Sequence, residues 1–168
     1  MSKLAVLLIV PAVALAAAGC GSSSKSSASS TPAPSTTTSA PAAGGVKISS
    51  GTIGRLGPAL VNAQGRTLYV FAPDKGKKVT CVSTCAAIWP PAFLSSGKKA
   101  VAAAPVKQSL LGSDPDPAGG RVITYAGWPL YTYVTDTAPR QATGQAVNLN
   151  GGPWYVISPA GKVITKTP

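Results

Sequence analysis

At 168 residues the chain has room for one modest folded domain, and 15 Lys and Arg against four acidic residues give it a formal charge of +11. It has no histidine and all four acids are aspartate, which excludes Ser–His–Asp and Cys–His triads, histidine zinc sites, blue-copper sites and c-type haem attachment. The lysines are scattered through loops (Lys75, Lys77, Lys78, Lys98, Lys99) with no recognition helix or RNA-binding signature, so no nucleic-acid partner is expected. The charge reads either as a solvated basic surface or as attraction to anionic lipid heads or acidic wall polymers.

Near the start Lys3 supplies a positive flank to an apolar run from Leu4 to Ala18 that ends in the small residues Ala17-Ala18-Gly19 before Cys20, and together these read as a secretory signal over residues 1–19. The run is shorter than the roughly 20 residues of a membrane span and is followed by polar sequence. Ala17-Ala18-Gly19-Cys20 resembles the lipobox of bacterial lipoproteins, with Ala17 where a leucine usually sits. That resemblance implies acylation of Cys20 and attachment to a membrane, each acyl chain adding about 0.8 kcal/mol per buried CH₂. Gly21 to Gly45 is Ser, Thr, Ala, Pro and Gly with a single charge, Lys25, and no aromatic residue. Such a segment buries too little apolar surface to offset its ordering entropy, so residues 20–45 are read as a lipidated cysteine followed by a disordered tether. As a flexible coil its ends lie roughly 25–30 Å apart. Its Ser, Thr and Pro also suit O-glycosylation.

Residues 46–168 read as a single domain. Val46-Lys47-Ile48 opens a first strand, and Gly51, Gly54 and Gly57-Pro58 punctuate the stretch up to Ala59. Leu60-Val61, the turn residues Asn62 to Arg66 and the run Thr67 to Phe71 form a hairpin. Alternation puts Tyr69 and Phe71 on one face and Leu68 and Val70 on the other. Asp74 falls just past the strand, where its carboxylate is expected to accept backbone N–H groups of the turn at Lys75-Gly76.

Next comes Cys81-Val82-Ser83-Thr84-Cys85, with a short helical turn capped by Ser83 or Thr84, running through Trp89 and ended by Pro90. With Cys20 acylated, Cys81 and Cys85 are an even pair in an oxidising compartment, and a disulfide is the default. A redox-active dithiol or a two-thiolate copper(I) site are the sharper alternatives. Trp89 is placed to pack on the sulfur pair.

Gly112 to Gly120, which includes Asp114 and Asp116, reads as a surface turn lacking the spacing and glutamate of a calcium loop. Arg121 to Tyr125, a turn at Ala126-Gly127-Trp128 and Pro129 to Tyr133 then repeat the hairpin, with Tyr131 and Tyr133 on one face and Leu130 and Thr132 on the other. Asp136 again follows, facing a turn at Thr137-Ala138. Asp136-Thr137-Ala138 resembles the tripeptide of retroviral-type aspartic proteases, but its partner Asp74-Lys75-Gly76 lacks the hydroxyl residue. Trp154 to Ile157, a turn at Ser158 to Gly161 and Lys162 to Thr165 close the chain as a last hairpin. Almost no stretch has helical periodicity, so the class is all-β, a small sandwich- or barrel-like domain of two similar hairpin repeats (about 58–95 and 118–168).

Tyr69-Val70-Phe71-Ala72-Pro73-Asp74 and Tyr131-Thr132-Tyr133-Val134-Thr135-Asp136 share one pattern: a Tyr, an aromatic residue two places on and an Asp three further. With Gly65-Arg66-Thr67-Leu68 before the first copy, Cys81, Cys85-Ala86 and Trp89-Pro90-Pro91 after it, Gly127 and Leu130 in the second, and Trp154 near the end, the chain resembles a family of exported bacterial repeat and lipoprotein-like proteins. The resemblance implies an exported, secreted or lipid-anchored protein and brings no assigned chemistry with it. The second copy has no cysteine pair, which makes Cys81 and Cys85 a reinforcement of one unit rather than part of a shared active site.

The function expected is therefore a non-enzymatic, lipid-anchored module outside the cytoplasm, without a cofactor or metal, that binds an envelope polymer or protein or stabilises the envelope. The alternative is redox or copper handling by Cys81 and Cys85. Tyr69, Phe71, Tyr131 and Tyr133 are expected in the core, with Trp89 and Trp154 beside them. If they face water instead, they form a stacking patch for sugars or peptides.

Overall fold

Short strands and one brief helix arise from the alternation of apolar and polar residues and from the glycines between them. The computed structural model describes residues 45–74, 76 and 78–168. The expected signal segment, Cys20 and the tether up to residue 44 lie outside the described residues. β1 (Val46–Ile53) pairs antiparallel with β2 (Gly57–Val61) and parallel with β4 (Ala100–Ala102). β3 (Tyr69–Phe71) pairs with β9 (Gly152–Ile157), which also takes β8 (Asn148–Leu149) and β10 (Val163–Ile164). β5 (Leu111–Pro115), β6 (Arg121–Tyr125) and β7 (Trp128–Pro129) form the third sheet. The fold is all-β, built from several short sheets with no closed barrel among the described residues.

The expected hairpins are present. Val61 bridges Thr67 across the first turn, and Leu68 N–H donates to the Leu60 carbonyl at 2.9 Å. In the second, Tyr125 faces Trp128 across Ala126-Gly127. Both turn residues have positive φ, 50° and 81°, as the tight two-residue hairpin matching strand twist requires. Trp154–Ile157 lies in β9 and its closing partner is β10.

Two expectations are corrected. Gly112 to Pro115 is strand, not turn: β5 pairs with β6 over five residues, Leu111↔Tyr125 to Pro115↔Arg121, and only the segment after it turns. Asp116 holds that turn by accepting from Ala118 N–H at 2.7 Å. The helical turn α1 (Thr84–Ile88) forms where expected, but Ser83 at its start has φ 54° and makes no capping bond through its side chain.

Two clusters make the core, and the alternation of Leu68 to Phe71 divides them. Tyr69 and Phe71 lie in one, with Cys81, Cys85, Trp89, Tyr131 and Trp154. Leu68 and Val70 lie in the other, with Ile48, Leu60, Ile123, Tyr125, Leu130 and Ile157. β3 is thus buried on both faces, which places the first motif at the centre of the fold.

The hairpin β5–β6 matches β1–β2, each pairing over five residues. Strands cross between the copies: Tyr69 of the first faces Val156 of the second, and Tyr131 of the second faces Pro91 of the first.

Candidate functional site

The two motifs meet at a pseudo-twofold axis. Tyr69 N–H donates to the Tyr131 carbonyl at 2.8 Å, and Tyr131 N–H donates back to the Tyr69 carbonyl at 3.0 Å. From this pair the side chains extend to the opposite copy. The Tyr69 hydroxyl donates to Asp136 Oδ2 at 2.6 Å, and the Tyr131 hydroxyl donates to Asp74 Oδ2 at 2.5 Å. Each repeat supplies the tyrosine that holds the other's aspartate.

The remaining carboxylate oxygens are held within their own repeat. Asp74 Oδ1 accepts from the Thr80 N–H at 2.9 Å and from its hydroxyl at 2.5 Å. Asp136 Oδ1 accepts from the Thr143 N–H at 2.9 Å and from its hydroxyl at 2.6 Å. For Asp136 this corrects the expected contact at Thr137-Ala138, since its partner lies seven residues on; for Asp74 the partner found is six residues on, and Lys75 of the expected turn lies outside the described residues. In the second copy the chain from Thr137 to Ala142 is a loop closed on the carboxylate. Thr80 and Thr143 escaped the sequence reading, although a threonine at nearly the same distance after each motif aspartate was there to be seen.

Both aspartates are buried, as are both tyrosines. Burial, reinforced by the Asp136 carboxylate, pushes the Tyr69 phenol well above its ordinary range, and burial beside Asp74 does the same to Tyr131. Both phenols therefore remain protonated and act as donors. Burial also raises Asp74 above the usual carboxylate value, against the opposing hydrogen bonds from Thr80 and Tyr131.

Aromatic rings continue the symmetry. Trp89 and Trp154 stack across the axis with centroids 3.9 Å apart and planes 2° from parallel. Phe71 stacks on the outer face of Trp154 at 4.3 Å, and Tyr133 on that of Trp89 at 4.0 Å. Tyr69 meets Trp89 edge-on at 5.4 Å and Tyr131 meets Trp154 edge-on at 5.2 Å. Offset and edge contacts of this kind add about 0.5–1.5 kcal/mol each beyond area burial. Trp154 is fixed by its Nε1–H, which donates to the Leu149 carbonyl at 3.1 Å. Gly144 is required under this stack, since a Cβ there would lie 2.6 Å from the Trp89 ring.

The structure brings together all eight motif residues expected from sequence: Tyr69, Phe71, Asp74, Trp89, Tyr131, Tyr133, Asp136 and Trp154. They form an interior, not a surface patch. Tyr69, Tyr131, Trp89 and Trp154 have no exposed area, Phe71 is buried and Tyr133 is half-buried. Cys81 and Cys85 form a disulfide with Cα atoms 5.2 Å apart, and both are buried in the same cluster as Trp89. The aspartates bond to tyrosine and threonine and not to each other, so they do not share a proton as a protease pair does.

The family described as a secreted repeat of unknown function (Lipoprotein_15) matches residues 52–93 and 114–158, one copy around each motif. No curated protein and no solved structure matches the chain.

Proposed function

The chain belongs to this family of secreted repeats, and we propose that it is a lipid-anchored, non-enzymatic module of the cell envelope whose paired motifs are scaffold. Family membership carries export from the cytoplasm. The single observation that supports a scaffold role is the bonding of the motifs: the Tyr69 and Tyr131 hydroxyls and the Asp74 and Asp136 oxygens bond one another or Thr80 and Thr143. Groups committed in this way hold the two repeats together, and the outer surface is left for a partner.

That surface is cationic. Lys47, Arg55, Lys98, Lys99, Lys107, Arg121, Arg140, Lys162 and Lys166 are exposed, while Asp74, Asp116 and Asp136 are buried. An anionic polymer or protein of the envelope is the partner this charge favours. Cys20 is the attachment point proposed from sequence.

Labelling of expressing cells with an alkyne palmitate analogue tests the anchor. Label and membrane fractionation are expected for the full chain and lost in Cys20→Ser; label persisting in that variant removes the anchor. Cross-linking on intact cells then identifies the partner, and the module reading fails if only solvent-exposed lipid is captured.

A further inference from the structure

The two repeats are not filled alike. In the second, β10 covers the outer edge of β9, with Val163 facing Ile157 and Ile164 facing Val156. The turn leading into it is packed tightly: a Cβ on Gly161 would lie 2.9 Å from Ala126 Cβ and 3.1 Å from Leu110 Cδ1. The counterpart of β9 in the first repeat is the segment Pro91 to Phe93, since Pro91 faces Tyr131 as Val156 faces Tyr69. Here the chain does not fold back. It continues into β4, which pairs with β1 instead.

Among the described residues an open edge results. Ala92 N–H donates to the Leu130 carbonyl, Ile123 N–H donates to the Ala92 carbonyl and Leu94 N–H donates to the Arg121 carbonyl, each at 2.8 Å. Peptide groups alternate along an extended strand, so those of Phe93, and the carbonyl of Pro91, point the other way. Opposite them is β1. Val46 N–H donates to the Lys99 carbonyl and the Ile48 carbonyl accepts from Ala103 N–H, both at 2.9 Å, so the peptide groups of the intervening Lys47 face away from β4. β2 does not reach them, because its pairing with β1 stops at Ser49↔Val61.

Between these two edges lies a cleft of about 670 Å³, lined among others by Lys47, Asn62, Gln64, Pro91, Phe93 and Thr132. Phe93 is 50 % exposed there and offers its ring to the cleft. Among the described residues no acidic side chain lines the cleft, Lys47 does, and Lys98 and Lys99 are exposed nearby on the approach to β4.

We propose that this cleft binds an extended peptide carrying acidic side chains, which adds as a strand along Pro91–Phe93 in the place that β10 fills in the other repeat. Edge groups supply backbone hydrogen bonds, Phe93 covers an apolar side chain, and the lysines select acidic flanks. The proposal deepens the binding-module reading and rests on it. It is independent of the anchor, because peptide binding can fail while Cys20 still takes label.

The test uses the full chain and a fluorescein-labelled heptapeptide with Val-Ile-Val at its centre and two glutamates at each end. Fluorescence anisotropy is expected to show saturable binding with Kd on the order of 10–100 µM. Amide hydrogen exchange at Lys47 and Phe93 is expected to slow in the complex. Methylating alternate peptide nitrogens, or replacing the glutamates by lysines, should each weaken binding at least about tenfold. Phe93→Ser, which places in the first repeat the residue found at 158 in the second, should weaken binding with the thermal unfolding midpoint unchanged. Absence of saturation at about 1 mM overturns the proposal. So does equal binding of the N-methylated peptide, or displacement of the bound peptide by a wall glycan fragment at the same cleft.

Discussion

Each motif aspartate is held by a tyrosine from the other repeat and by both donors of a threonine from its own. A buried carboxylate that loses one of these donors keeps its desolvation cost without compensation, so Tyr131→Phe and Asp74→Ala should each destabilise the fold by about 1–3 kcal/mol. The effects should be non-additive: a double-mutant cycle in urea is expected to give a coupling of about 0.5–3 kcal/mol for Tyr131 with Asp74. Symmetry extends the same expectation to Tyr69 with Asp136. Burial raises both tyrosines above their ordinary pKa of 10.0, so above that pH the folded chain retains protons that the unfolded chain releases. Their contribution is therefore complete below about pH 10 and falls as pH rises beyond it. Alkaline unfolding followed by circular dichroism should be steeper for the wild type than for Tyr69→Phe with Tyr131→Phe; identical pH dependence would contradict the assignment.

Among the elements, those with a period of two were legible from sequence. The alternation in Leu68 to Phe71 assigned the two faces correctly because both sides of β3 are apolar and each meets its own cluster. β5 was not legible. Leu111 to Pro115 carries Gly, Ser, Asp and Pro, which favour turns locally, and its strand state comes from pairing with β6. Ser83 likewise has the right identity for a cap, but at its positive φ only its carbonyl serves the helix, accepting from Ala87 N–H at 3.1 Å, while its side chain makes no capping bond. That loop is closed by the disulfide, which spans four residues in sequence. Replacing both Cys81 and Cys85 by serine should cost about 2 kcal/mol by the chain-entropy estimate for so short a loop. Because the second repeat has no such bridge, the variant is expected to fold and to show a lowered urea midpoint; loss of all native circular dichroism would mean that the bridge is required for folding.

For the molecule as a whole, duplication was visible in sequence but its consequence was not. Similar hairpins in tandem are compatible with two independent units joined by a linker. Here the strands are exchanged: β3 of the first repeat pairs with β9 of the second, Tyr131 bridges Pro91, and the two tryptophans stack across the axis. Pattern alone does not reveal this, because it names the face a residue occupies and not the strand it faces. Each repeat leaves the Oδ2 of its own aspartate and the stacking faces of its own tryptophan to be covered by the other. The same arrangement explains why the cleft beside Phe93 is exposed, since one repeat closes its outer edge with β10 while the other sends its chain to β1.

The most direct measurement divides the chain between Ala104 and Pro105 and tracks each part of the folded region, 45–104 and 105–168, by far-ultraviolet circular dichroism and thermal unfolding, alone and mixed. Interlocked repeats require that neither part unfolds cooperatively alone and that an equimolar mixture regains a native spectrum and a single transition, abolished when Tyr69→Phe and Tyr131→Phe are combined. A cooperative transition in either part by itself would contradict the account.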